Sequence, residues 1–308
     1  MDSMTIYAVI SLSSLGVIAS TVLYIASKKF KVIEDPLIDE VDDLLPGANC
    51  GGCGLAGCRN FAEEIVKTKD LSLLYCPVGG NDLVKNIAKL LNLVPEEKEA
   101  FIAVVRCSGF LTNAPLKTEY DGAVSCAVSH SLFSGEKGCA SGCMGLGDCE
   151  RVCGFDAITI DKERMLAIVD EEKCTGCNIC VLACPRDVIE LRPKGKKSRR
   201  IYVACNNNEK GGVAKKNCKV ACIGCGKCVK ECVKFNAIEI KDNLAYIDAE
   251  LCKNCRKCVG VCPTGAILEI GFPAPKALKG VVSKALKGEA SPVLRAGTET
   301  LPVQQEGE

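Results

Sequence analysis

The residues in this sequence best equipped for chemistry are its cysteines, 24 in a chain of 308 that holds a single histidine, His130. Cys174, Cys177, Cys180 and Cys184, followed by Pro185, read C-x2-C-x2-C-x3-C-P; Cys252, Cys255, Cys258 and Cys262, followed by Pro263, repeat the pattern without departure. So many thiols either cross-link or bind metal, and triplets two residues apart suit a metal corner, whereas disulfide frameworks belong mainly to small secreted domains. Such a triplet of thiolates wraps three irons of a cubane [4Fe–4S] cluster, and the fourth cysteine ligates the cluster of a partner motif. Zinc is the competing tetrathiolate metal, but it favours paired C-x2-C knuckles set well apart.

Pairing predicts crossed ligation. One cluster falls to Cys252, Cys255, Cys258 and Cys232, and its neighbour to Cys222, Cys225, Cys228 and Cys262. Upstream the same scheme gives Cys174, Cys177, Cys180 and Cys153, then Cys139, Cys143, Cys149 and Cys184, although Cys139-x3-Cys143-x5-Cys149 is wider than a standard triplet and Gly154 and Val233 replace the expected prolines. Cys50, Cys53, Cys58 and Cys76, with Pro77 behind, form a further four-cysteine cluster set, at which zinc is a stronger rival than in the two modules. This reading yields five [4Fe–4S] clusters. The four remaining cysteines, Cys107, Cys126, Cys205 and Cys218, either ligate a sixth or stay as buried thiols, since no local spacing groups them.

The elements that must position these thiols are partly legible. Four cysteine clusters are each followed by a strand-like apolar run (GFDAITI, PRDVIEL, VKFNAIEI, PTGAILEI), an internal repeat with a period of about 30 residues. Two copies make one module, and LAIVDEEKC before Cys174 echoes LAYIDAELC before Cys252. The expected class is therefore α+β, with a small helical Fe–S domain at 31–95, a helical connector at 96–138, and tandem bacterial-type 2[4Fe–4S] ferredoxin modules at 139–191 and 220–270. Leu83, Ile87, Leu90, Leu91 and Leu93 have helical spacing, and Pro95 with Glu96 and Glu97 reads as a second helix start. The linker 192–219 carries ten Lys or Arg against Glu209 alone, and is either a solvated connector or a docking surface for an acidic partner. The tail 271–308 shows little patterning and is expected to be disordered.

Residues 1–30 supply an anchor. Thr5–Ser27 runs for 23 residues without a charge, enough to span a bilayer. Asp2 precedes it and Lys28, Lys29 and Lys31 follow, so the positive-inside rule sets the N-terminus outside and the cysteines in the reducing cytoplasm. A cleaved signal peptide is the alternative, but a basic n-region is missing. A net charge of +1 argues against a nucleic-acid partner. Neither a dinucleotide fingerprint, a P-loop nor a histidine triad is present, which points to electron transfer with no substrate-converting site in the chain itself.

The order of one membrane helix, PGANCGGCGLAGC at Pro46–Cys58, Cys76-Pro77, GCMGLGDCERVCGFDAI and the four repeats resembles the B subunit of the Rnf ion-translocating oxidoreductase, in its longer, cluster-rich form. The resemblance covers most of the chain and stops at Pro273. It implies an electron relay within a translocase that exchanges electrons with soluble ferredoxin inside a membrane complex coupling ferredoxin:NAD oxidoreduction to Na⁺ or H⁺ transport, with flavin and nicotinamide sites in sister subunits. The basic linker would then meet the acidic ferredoxin. Two other readings stay open: a polyferredoxin arm of another membrane redox complex such as a hydrogenase, and an iron–sulfur sensor or scaffold.

Overall fold

The computed structural model describes residues 3–29, 35–72 and 74–273; the expected disordered tail lies, from 274 onward, outside the described residues. Helix α1 (Ser3–Lys29) contains a 20-residue apolar span, Ile10–Lys29, with none of its most apolar window buried. Leu12, Leu15, Leu23 and Tyr24 all point outward, which suits lipid and not a protein core.

Helices α2 (Pro36–Leu44), α3 (Cys58–Thr68) and α4 (Gly80–Leu91) form the first cysteine domain. The acidic stretch after the anchor is helical because Asp35 accepts a bond from the Leu37 amide and Pro36 sits at the first helical position. Val41, Phe61, Ile65, Val84 and Ile87 close its core, with the apolar stripe of α4 facing inward as its spacing predicts.

The connector departs from expectation. No helix begins at Pro95; residues 93–100 lead instead into strand β1 (Phe101–Val105), whose β-branched residues and nearly continuous burial suit a sheet. Only α5 (Cys126–Phe133) is helical there, capped by the Ser125 hydroxyl. Then follow α6 (Asp148–Arg151), β2 (Ile158–Asp161), β3 (Leu166–Val169), α7 (Ile179–Leu182), β4 (Ile189–Pro193), β5 (Arg200–Val203), α8 (Gly211–Asn217), α9 (Lys227–Glu231), β6 (Ile238–Lys241), β7 (Leu244–Ile247), α10 (Lys257–Val261) and β8 (Ile267–Ile270).

Every strand pairs antiparallel in a two-stranded sheet: β1 with β4, β2 with β3, β5 with β8 and β6 with β7. Each ferredoxin module thus draws a strand from the segment ahead of it. The basic linker is consequently part of the fold. Arg192 and Arg200 are buried on β4 and β5, Arg192 lies over the rings of Tyr202 and Tyr246, and Arg200 pairs with Glu171. Only Lys196 and Lys197 of the cluster at 192–200 are exposed. Val104, Tyr202, Ala204, Leu268 and Ile270 form an apolar seam between the β1–β4 and β5–β8 sheets.

Candidate functional site: a succession of thiol quartets

In the N-terminal domain the loop 45–57 carries Cys50 and Cys53, Cys58 opens α3, and Cys76 precedes α4. Asn49 fixes that opening by accepting from the Cys58 amide at 2.8 Å. The Cys76 thiol accepts from the Gly79 amide at 3.5 Å and is raised in pKa by burial, with Cys53 and Cys50 close by.

In the last module two cavities are each ringed by four thiols. Cys222, Cys225, Cys228 and Cys262 line one, with Val203 and Ala266; Cys232, Cys252, Cys255 and Cys258 line the other. The crossed sets are thus brought together. In the preceding module Cys180, pushed up to about 12 by burial first, has Cys174, Cys177 and Cys153 as neighbours.

The other upstream set, Cys139, Cys143, Cys149 and Cys184, has further thiols around it. Cys149 is likewise pushed up to about 12 by burial, then by Cys143, Cys126, Cys184 and Cys180. Cys139 faces a different cavity, lined also by Cys107, Cys205 and Cys218, with Cys143 at its wall. Around Cys149 the structure thus gathers Cys126 beside Cys143 and Cys184, while Cys139 lies with Cys107, Cys205 and Cys218.

The reason is a register visible in the backbone. Gly145 and Gly147 hold the same left-handed conformations as Gly224 and Gly226, with φ of 76° and 86° against 61° and 73°. A Cβ at Gly145 would fall 2.4 Å from the Met165 carbonyl oxygen and one at Gly224 2.7 Å from that of Asn243, so both turns require glycine. CMGLGDC at 143–149 thus superposes on CIGCGKC at 222–228, and Leu146 stands where Cys225 would be. Cys126, at the start of α5, lies beside that turn, where burial raises its pKa and the Asp148 and Leu146 backbones oppose the shift. Asp148 secures that helix start, accepting from the Cys126 and Ala127 amides at 2.9 Å each and from the Ser125 hydroxyl at 3.0 Å.

The same register makes Cys107 the counterpart of Cys205, each two residues beyond its strand, and Cys139 the counterpart of Cys218. The bonds agree: the Cys143 amide donates to Cys107 Sγ at 3.4 Å and the Cys222 amide to Cys205 Sγ at 3.3 Å. A Cβ at Gly142 would lie 3.3 Å from Cys107 Sγ and 3.4 Å from Cys139 Sγ, and one at Gly109 3.3 Å from Cys107 Sγ and 3.7 Å from Cys218 Sγ. Glycine thus leaves room beside three of the four sulfurs, and amide donors aim at them, a donor set that suits thiolates holding an inorganic cluster.

Two buried cations adjoin these sites. Lys137, 2% exposed, donates from Nζ to the carbonyls of Gly109 at 3.0 Å and Met165; Arg186, 7% exposed, donates to those of Gly142 at 2.6 Å and Ser134. Burial lowers the pKa of Lys137, and the neighbouring thiols Cys107, Cys143, Cys139 and Cys218 oppose that shift.

Neighbouring quartets lie within electrostatic reach of one another. Gly52, between Cys50 and Cys53, lies on the Cys177 loop so closely that a Cβ would sit 2.9 Å from the Cys177 carbonyl oxygen. Cys149 adjoins Cys180, Cys143 adjoins Cys107, Cys205 adjoins Cys222, and Cys228 adjoins Cys258. At the far end Cys255 is exposed.

An apolar N-terminal helix, a small helical cysteine domain and tandem ferredoxin units define a membrane-associated iron–sulfur protein that carries electrons. Family models for a putative Fe–S cluster, a 4Fe–4S binding domain and a 4Fe–4S dicluster domain match residues 45–78, 167–190 and 221–266. The B subunit of an ion-translocating oxidoreductase complex from Methanosarcina acetivorans is 41% identical over 267 residues, covering 87% of this chain and 99% of the relative. The B subunit of the Na⁺-translocating ferredoxin:NAD⁺ oxidoreductase complex of Acetobacterium woodii is 41% identical over 252 residues, 82% of this chain and 74% of that protein. Its counterpart in a proton-translocating ferredoxin:NAD⁺ oxidoreductase complex of Clostridium ljungdahlii is 39% identical over 267 residues, 86% and 92% of the two chains. The chain belongs to the B-subunit family of the Rnf ion-translocating oxidoreductase complexes, as its motifs led one to expect.

Proposed function

We propose that the chain holds six [4Fe–4S] clusters in a single succession and relays electrons between soluble ferredoxin and the other subunits of an Rnf complex. The ligand quartets are Cys50, Cys53, Cys58 and Cys76; Cys153, Cys174, Cys177 and Cys180; Cys126, Cys143, Cys149 and Cys184; Cys107, Cys139, Cys205 and Cys218; Cys222, Cys225, Cys228 and Cys262; and Cys232, Cys252, Cys255 and Cys258. When bound, such clusters take up and release electrons at potentials set by charge, hydrogen bonding and exposure. The protein's part is to supply thiolates, aim amides at them and exclude water. The observation that carries the reading is the unbroken adjacency of the quartets, from Gly52 on the Cys177 loop to the Cys228–Cys258 neighbourhood.

Ferredoxin docks, in this reading, at the open end. Exposed Lys253 and Lys257 flank exposed Cys255, and Asn254 of the same loop bonds to the Arg199 carbonyl, near exposed Lys196 and Lys197. A lysine-rimmed end steers an acidic donor. Lys28 and Lys29 at the end of α1 support, by the positive-inside rule, a cytoplasmic setting for this region with the N-terminus outside.

The test is anaerobic purification with iron, acid-labile sulfide and zinc measured per chain, followed by electron paramagnetic resonance of the reduced protein. About 24 irons with matching sulfide is the expected result, about 20 would remove the sixth site, and zinc without sulfide would overturn the reading.

A further inference from the structure

We infer that Lys137 and Arg186 make the two central clusters, those of Cys107, Cys139, Cys205 and Cys218 and of Cys126, Cys143, Cys149 and Cys184, the most easily reduced in the chain. The inference rests on the six-quartet reading above and goes beyond it by ordering the potentials. Both cations are buried, and neither has a carboxylate partner among the described residues. A buried charge persists where something opposite compensates it. The groups ranged around Lys137 are Cys107, Cys143, Cys139 and Cys218, and around Arg186 they are Cys139, Cys143, Cys126 and Cys107.

A tetrathiolate cluster is anionic and gains one more negative charge on reduction, so a fixed cation behind its ligands favours the reduced form. Each cation is anchored where it must stay close: Lys137 precedes Cys139 by two residues, Arg186 follows Cys184 by two, and both donate to carbonyls of the loops that carry the thiols. The second half provides an internal control. By the register of the two modules the counterpart of Arg186 is Thr264, a neutral side chain 3.8 Å from Cys262 Sγ, and that of Lys137 is Lys216, which is exposed on α8. The duplicated cluster site of Cys222, Cys225, Cys228 and Cys262 therefore lacks both buried charges. Electrons entering at either end would collect in the middle.

Redox titration of the full chain, followed by electron paramagnetic resonance, tests this with Lys137→Met, Arg186→Thr and the charge-retaining Lys137→Arg. With iron and sulfide unchanged, Lys137→Met and Arg186→Thr should each move one or two central signals to lower potential by at least tenfold in the reduction equilibrium, about 59 mV for one electron. Lys137→Arg should leave them in place. Retained iron with no shift in either neutral variant overturns the inference. Should a neutral variant lose iron, titration of the unsubstituted chain decides: the first signals to appear on stepwise reduction must be those missing from Cys107→Ser and Cys126→Ser, and first signals that survive both substitutions overturn it equally. An iron content of about 20 would instead sink the sixth site alone and leave the Arg186 arm to be read at the Cys126 quartet.

Discussion

The two halves of the cysteine-rich region, residues 101–191 and 200–270, keep one architecture while differing in how their clusters are held and what surrounds them. Both run strand, cysteine, glycine-turn, short helix and hairpin, and both close their sheet with a final antiparallel strand. The later half takes its thiols from contiguous motifs. The earlier one has Leu146 where the middle cysteine would stand, with Cys126 of an inserted helix beside that turn. Residues 139–191 hold ten acidic and five basic side chains, whereas 220–270 hold six and seven. The Cys177 loop is covered by Gly52, whereas its counterpart at Cys255 is open. A duplicated unit has thus become an inner half, sealed and laced with buried cations, and an outer half with a lysine-rimmed end.

The largest effect should come from the site where the halves differ in ligand source. Cys126→Ser should lose about four irons per chain, the content of one cubane, without disturbing the other quartets. Adding Leu146→Cys in that background should return them, because it restores the motif of the outer half between Gly145 and Gly147. Iron that stays at the full count in Cys126→Ser would put Cys139 back in this quartet and break the correspondence.

How much of this was legible follows from the same residues. The contiguous motifs announced themselves, as did α1 and the hairpins, since their signals are local. The quartet of Cys107, Cys139, Cys205 and Cys218 has no local spacing, because it is built from two thiols of each half across a seam of strands. A signal for it did exist: aligning Gly145 and Gly147 with Gly224 and Gly226, and not first cysteine with first cysteine, pairs Cys143 with Cys222 and exposes Leu146 as the substituted position. The basic linker misled because charge was read as exposure. Arg192 and Arg200 are buried by stacking on tyrosines and pairing with Glu171, which no charge count reveals. The second helix start at Pro95 failed because the Asn81 side chain holds the Lys98 backbone and the chain then enters β1, whose partner β4 lies about 90 residues away, and such non-local contacts override local turn chemistry.

A smaller effect should arise where the inner half meets the N-terminal domain. A Cβ at Gly52 would approach the Cys177 carbonyl oxygen, Cβ and Cα at 2.9, 3.0 and 3.1 Å, so two loops must separate to admit it. Gly52→Ala should cost about 1–3 kcal/mol of stability, as overpacking does. It should also slow reduction of the N-terminal cluster by the rest of the chain, measured by stopped-flow with the iron count unchanged. Equal rates would mean that this contact is not on the route.

The smallest effect concerns the outer rim, and it separates charge from contact. Lys196→Glu, Lys197→Glu, Lys253→Glu and Lys257→Glu combined should slow reduction by ferredoxin about tenfold at low salt, since rim charges act mainly on association rate. The difference should vanish as added salt shortens the screening length to a few ångströms. Reversing Lys162 and Lys173 of the inner half should do little, because that half is already acidic and its Cys177 loop is covered. Arg200 is excluded from the set, since a glutamate there would face Glu171 in a buried position and unfold the strand it was meant to probe. Equal slowing from the inner and outer reversals would remove the distinction between a sealed half and a docking half, and with it the assignment of Cys255 to the entry end.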